Sequence, residues 1–126
     1  MMRLLVVATP EIDEVSLVKR VHGYVHSDPP VEVHVIATGD GAPDRLTGLI
    51  TQLERLGVEV TGAVAHDDLV AAIERTAEGS SFGRVLVSAP TSRIQQWLHS
   101  DLPHRLGRRI NAPVESVATR VTAGER

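Results

Sequence analysis

Apolar residues fall in short continuous runs and in helix-spaced stripes, and the two alternate along the chain. Leu4-Leu5-Val6-Val7-Ala8 is uninterrupted, as expected of a strand covered on both faces. Thr9-Pro10-Glu11 reads as a helix start, with Thr9 as cap, Pro10 in the first turn and Glu11 at the positive end of the dipole. Ile12, Val15, Val18, His22 and Val25 then recur at helical spacing to about Ser27, where Asp28-Pro29-Pro30 stops the helix. Val31 to Thr38, rich in β-branched residues, is a second strand. After the loop Gly39-Asp40-Gly41-Ala42-Pro43, Asp44 caps a helix whose stripe is Leu46, Leu49, Ile50, Leu53 and Leu56, ending at Gly57.

Val58 to Ala65 supplies a third strand, in which Gly62 marks a bulge or a tight approach. Asp67 or Asp68 caps a helix bearing Leu69, Val70, Ile73 and Ala77, which breaks at Glu78-Gly79-Ser80-Ser81. Val85-Leu86-Val87 is a fourth strand. A helix of about Asp101 to Ile110 follows, with Pro103 in its first turn. Asn111-Ala112-Pro113 leads into a fifth strand, Val114 to Thr119. Strands alternating with helices imply one α/β domain over residues 1–120, an open parallel sheet with right-handed crossovers and helices on both faces. Residues 121–126 read as a C-terminal tail.

Composition narrows the function more than the fold. The 126 residues are 42% hydrophobic, long enough to bury a core without staples. Tyr24, Phe82 and Trp97 are the only aromatics, too few for the stacking platforms of single-strand nucleic-acid binders. Thirteen basic against sixteen acidic residues give a net charge of −3, which offers no excess for phosphate-backbone binding, so no nucleic-acid partner is expected. The absence of cysteine excludes disulfides, thiolate catalysis and cysteine zinc sites. The N-terminal apolar run is too short for a signal segment or a membrane span, which gives a cytoplasmic expectation with no membrane partner.

The stretch Arg84 to Val117 carries the most chemistry. In an open α/β sheet ligands bind beside the carboxyl ends of strands, and Ser88-Ala89-Pro90-Thr91-Ser92-Arg93 lies at such an end. The whole-chain layout, with the closing Ala112-Pro113-Val114, resembles the universal stress protein family. The phrase Trp97-Leu98-His99-Ser100-Asp101-Leu102-Pro103-His104-Arg105 resembles a divergent, actinobacterial-type branch of it. The resemblance implies a five-stranded sheet of order 3-2-1-4-5 and a homodimer paired through the last strand.

Nucleotide-binding members of that family carry an aspartate just after the first strand. They also carry a loop of Gly, two residues, Gly, nine residues, Gly-Ser/Thr after the fourth. This chain has Thr9 in the first place, and Ser88 to Ser92 where the glycines should begin. Glycines expose backbone N–H groups to phosphate, and Pro90 removes one such donor. No cofactor is therefore expected; ATP and AMP are the candidates the resemblance supplies.

Thr9, Ser88, Thr91, Ser92 and Arg93 are the candidate ligand-binding residues, since hydroxyls and a guanidinium can hold a phosphate or carboxylate without glycines. The competing reading is that Thr91, Ser92 and Ser100 cap turns. Trp97, Val114 and Val117 are the candidate interface residues. His99, Asp101 and His104 straddle a helix start without a ligand motif, and Arg105, Arg108 and Arg109 suit a solvated helix C-terminus. His22 and His26, four apart, share a helix face, but two histidines are an incomplete zinc set; no metal site is assigned.

A triad of Ser88, His104 and Asp101 lacks the strained G-x-S-x-G elbow. A phospho-receiver would need acids where Thr9 and Pro10 stand. No catalytic residue is assigned. The expectation is a non-enzymatic, homodimeric regulatory or interaction module without conventional ATP binding, with a protein partner as a further option. The alternative is a nucleotide or anion sensor with an altered pocket at the ends of strands 1 and 4. Slow nucleotide or phosphoester hydrolysis is the weakest reading.

Overall fold

A computed structural model describes residues 2–27, 30–66, 72, 75–76, 82–88 and 114–117. The elements are β1 (Met2–Ala8), α1 (Glu14–Ser27), β2 (Val31–Thr38), α2 (Ala42–Glu54), β3 (Glu59–Ala65), β4 (Arg84–Val87) and β5 (Val114–Ser116). They form one sheet of order β3-β2-β1-β4-β5. Every pairing is parallel. The five-stranded parallel order expected from the resemblance is thus the observed one.

Period-two alternation divides the sheet into two faces. Leu4, Val6 and Ala8 of β1 align with Val33, Val35 and Ala37 of β2, and Val6 with Leu86 of β4. These side chains pack with Leu17 and Val21 of α1 and Leu49 and Leu53 of α2 in one core. Full burial of each Val or Leu among them is worth about 1.5–3 kcal/mol, so this face holds the sheet and first two helices together. Leu5, Val7, Val85 and Val87 point to the other face and are also buried, as are Ala72 and Phe82. Burial on both faces is why β1 and β4 read as unbroken apolar runs.

Several local expectations are corrected. The cap of α1 is Asp13, not Thr9: the Ser16 N–H donates to Asp13 Oδ1 at 3.3 Å, and the Leu17 N–H to the Asp13 carbonyl at 3.0 Å. Thr9 to Ile12 form a turn instead, closed by the Ile12 N–H on the Thr9 carbonyl. The helix consequently presents Leu17, Val18, Val21, Tyr24 and Val25 to the core, whereas Val15 is 62% exposed and His22 faces solvent. Helix α2 starts at Ala42 behind Gly41, with no side-chain cap; Asp44 lies in its first turn. Of its expected stripe, Leu46, Leu49 and Leu53 pack in the core and Ile50 lies against Gly62, while Leu56 packs on the core from beyond the helix end at Glu54; Gly57 follows at φ 82°.

Gly62 is a close approach and not a bulge. Register runs unbroken from Glu59 to Ala65, and a Cβ at Gly62 would lie 2.6 Å from Leu46 Cδ1 and 3.0 Å from Ile50 Cδ1. A side chain there would displace the tips of Leu46 and Ile50. Strand β1 begins at Met2, β3 at Glu59 and β4 at Arg84, each within two residues of expectation. Of the third expected helix, Ala72, Arg75 and Thr76 are described and helical; its remainder, and the helix of about 101–110, lie outside the described residues. So do residues 118–126. No helix among the described residues is long and apolar enough to cross a membrane.

Candidate functional site at the carboxyl ends of the strands

The parallel order reverses direction at β1, so the crevice between the carboxyl ends of β1 and β4 is where such a sheet binds ligands. Thr9 and Ser88 stand there, one residue beyond each strand. They face each other. The Thr9 N–H donates to Ser88 Oγ at 2.9 Å, and the Thr9 hydroxyl donates to the Ser88 carbonyl. Ser88 Oγ–H in turn donates to the Val7 carbonyl at 2.8 Å, alongside the Ser88 N–H at 3.0 Å. Thr9 Oγ1 also accepts the Glu11 N–H at 3.3 Å.

Each hydroxyl has one proton, and both are committed inside this seam. An anion needs donors, so neither side chain can serve one without breaking a buried bond. Burial points the same way: Thr9 is 3% exposed and Ser88 0%. The pair extends the β1–β4 ladder by side-chain hydrogen bonds where the backbone pairing ends.

Next to the seam, Arg45 closes the ends of β1 and β2. Its guanidinium donates to the carbonyls of Ala8 at 3.5 Å, Asp40 at 3.0 Å and Thr38. Gly39, at φ 80°, lets the loop after β2 pass close to Pro10; a Cβ would sit 2.6 Å from the Pro10 ring. Arg45 was not singled out from the sequence. Its signal was an arginine four residues into a helix that follows a glycine-rich loop, close enough to reach back to strand-end carbonyls.

Thr91, Ser92 and Arg93, the rest of the candidate ligand set, lie outside the described residues, as do Trp97, Ser100, Asp101, His99, His104 and the cluster Arg105, Arg108 and Arg109. Val114 lies in β5, paired with Val85. Val117 is 2% exposed and belongs to the core cluster that includes Leu86 and Val21, and its N–H donates to the Val87 carbonyl at 2.9 Å. Its side chain lies on the helix-covered face of the sheet, beside Ser16, Arg20 and Gly23 of α1.

Two further polar groups emerge. Glu115 accepts from Tyr24 at 3.1 Å, from Arg84 at 3.1 Å and from Arg20, tying β5 and β4 to α1. Burial, followed by the hydrogen bond and charge of Glu115, raises the Tyr24 phenol above its usual 10.0. On the opposite face a cavity of about 100 Å³ is lined by Arg3, Glu32, His34, Glu59, Thr61 and Phe82. His34 Nδ1 is 2.7 Å from Thr61 Oγ1, and burial, then the Arg3 charge, holds the imidazole below its usual 6.5. Among the described residues no group of three or more histidines or carboxylates is placed to hold a metal ion.

No family model matches this chain, and no curated protein matches it by sequence. Its architecture does have solved counterparts. A universal stress protein from Archaeoglobus fulgidus superposes with a TM-score of 0.56 at 13% identity, covering 93% of each chain. A universal stress protein in complex with cAMP gives 0.54 at 18% identity, covering 94% of this chain and 98% of that one. A histidinol dehydrogenase from Elizabethkingia anophelis gives 0.57 at 10% identity, but the match spans only 27% of that enzyme. The chain has the fold of the universal stress proteins, and the dehydrogenase match shows that a similar layered sheet also occurs as part of a larger enzyme.

Proposed function

We propose that this chain is a divergent universal-stress-protein module that works by regulation or interaction in the cytoplasm. It is non-enzymatic, homodimeric and without conventional ATP binding. The observation that carries this reading is the Thr9–Ser88 seam: the two side chains at the expected nucleotide crevice spend their only hydroxyl protons on each other's segments. No metal or other cofactor is invoked, and neither nucleic acid nor membrane is a partner in this reading. The dimer rests on the resemblance, with β5 at one edge of the sheet as the strand available for pairing.

The test is a thermal-shift and calorimetric titration with ATP, ADP, AMP and cAMP, with and without Mg²⁺. A ligand that binds only the native state raises Tm by mass action. No shift at millimolar nucleotide is expected; a saturable micromolar response would overturn the non-binding reading. Sedimentation at micromolar concentration should give a dimer, and a monomer would remove the homodimer from the proposal.

One observation favours the alternative, a nucleotide or anion sensor: a universal stress protein of the same fold is seen in complex with cAMP. In that reading Thr91, Ser92 and Arg93 supply the donors, and Thr9 and Ser88 only shape the crevice floor. Arg93→Ala would then abolish a binding response that Thr9→Val leaves in place.

A further inference from the structure

The C-terminal half of α1 brings two imidazoles together on its solvent side. His22 and His26 are both exposed, and their Nε2 atoms are 3.0 Å apart, with the rings edge to face at 4.3 Å between centroids. Spacing by four residues places two histidines on one helix face; it does not make their nitrogens converge, and here they do. A neutral pair at this distance shares one proton between two lone pairs. A metal ion beside the pair can bind both Nε2 atoms once the donor ring carries its proton on Nδ1 instead.

The separation of the nitrogens favours some ions over others. With metal–nitrogen bonds of about 2.0–2.1 Å, two nitrogens 3.0 Å apart subtend about 91–97° at the metal. That is the cis angle of tetragonal and square-planar sites, which suit Cu²⁺ and Ni²⁺. A tetrahedral Zn²⁺ would need the nitrogens spread to about 3.4 Å. His26 lies in the last turn of α1, where the partial negative charge of the helix terminus favours a cation. Lys19, one turn before His22 and exposed, opposes one, but at ordinary ionic strength an exposed charge of this kind is largely screened. The three residues between the histidines are Gly23, Tyr24 and Val25, so the acidic general base of a hydrolytic H-E-x-x-H helix is missing and the site would bind without hydrolysing.

We propose that His22 and His26 form a bidentate surface site for a divalent late 3d metal ion, Cu²⁺ ahead of Ni²⁺ and Zn²⁺, with water in the remaining positions. The test is calorimetric titration of the full chain with CuCl₂, NiCl₂ and ZnCl₂ separately in a non-chelating buffer, with electron paramagnetic resonance on the Cu²⁺ form. One Cu²⁺ should bind per chain with two coordinated imidazole nitrogens, and affinity should follow Cu²⁺ over Ni²⁺ and Zn²⁺. The second imidazole binds intramolecularly, so His22→Ala and His26→Ala should each weaken Cu²⁺ binding by about tenfold or more. His66→Ala, at another exposed histidine, should leave it unchanged. Circular dichroism of the variants checks that these surface changes leave the fold intact. Wild-type affinity in either His22→Ala or His26→Ala, a single coordinated nitrogen, or no binding at millimolar metal would each overturn the proposal.

Discussion

Strand β4 is tied to its neighbours by a polar cluster at each end, and the two clusters differ in kind. At the carboxyl end Ser88 and Thr9 are neutral, wholly buried and saturated by hydrogen bonds to backbone. At the amino end Arg84 joins Arg20 and Tyr24 around the Glu115 carboxylate, the side chains of Arg20, Arg84 and Glu115 being between 21% and 49% exposed. Both clusters cross long stretches of sequence. The buried one derives its strength from the cost of leaving its groups unsatisfied. The surface one relies on Coulomb attraction that water and salt weaken. Equal numbers of polar contacts therefore do not mean equal contributions, and substitutions should separate the two.

The harshest perturbation of the buried cluster acts through its support. Gly39→Ala places a Cβ in a left-handed conformation and against the Pro10 ring, next to Thr9. Steric strain and overpacking together should cost about 2–4 kcal/mol in urea unfolding. A loss under about 0.5 kcal/mol would mean that this turn yields easily and does not fix the seam. Ser88→Ala comes next. It strands the buried Thr9 N–H and removes one donor from the Val7 carbonyl, at an expected cost of about 1–3 kcal/mol. A double-mutant cycle with Thr9→Val should show non-additivity, and additive losses would separate the two residues.

Glu115→Gln tests the surface cluster. The loss should be about 1 kcal/mol or less and should shrink as salt is raised, unlike that of Ser88→Ala. It should also lower the Tyr24 titration midpoint, because the negative charge that helps raise it is lost while Arg84 and Arg20 remain. Tyr24 titrates above the unfolded value of 10.0, so its contribution to stability is present below that pH and is lost as pH rises through the folded pKa. Ultraviolet difference titration reads the midpoint; an unchanged value would detach Tyr24 from Glu115.

The contrast between the clusters also explains what could be read from the residues alone. The strands were legible because β1 and β4 are apolar runs and β2 is rich in β-branched residues, but their order followed only from the family resemblance. The α1 face was misread because Ile12 is buried yet precedes the helix; counting from it adds Val15 and His22 to the stripe and omits Leu17 and Val21. Thr9 and Ser88 stood out by position, but whether a hydroxyl faces a ligand or a neighbouring carbonyl depends on atomic direction, which no spacing rule encodes. Glu115 and Arg45 went unremarked for a related reason. Each gains its role from partners, Arg20 and Tyr24 for one and strand-end carbonyls for the other, that are brought close only by the fold.

His34, on the far face of the sheet, lies between the two extremes and gives the smallest expected effect. It is half-buried, like the surface cluster, yet the leading influence on its charge is desolvation, as in a buried one. Its folded pKa lies below the unfolded 6.5, so the unfolded chain binds more protons as pH falls through 6.5. Stability contributed by the neutral imidazole is then fully present above that value and is lost as pH falls toward the folded pKa. Unfolding in urea across this window should show wild type losing stability relative to His34→Gln as the solution is acidified. Arg3→Ala should reduce that slope without abolishing it, since the Arg3 charge is the lesser cause and burial the greater. Added salt should act like a mild version of Arg3→Ala, because it screens the charge but not the burial. A difference between wild type and His34→Gln that is flat with pH would show that the cavity around His34 is as well hydrated as the exposed rim of Glu115, and would move it to the surface side of the comparison.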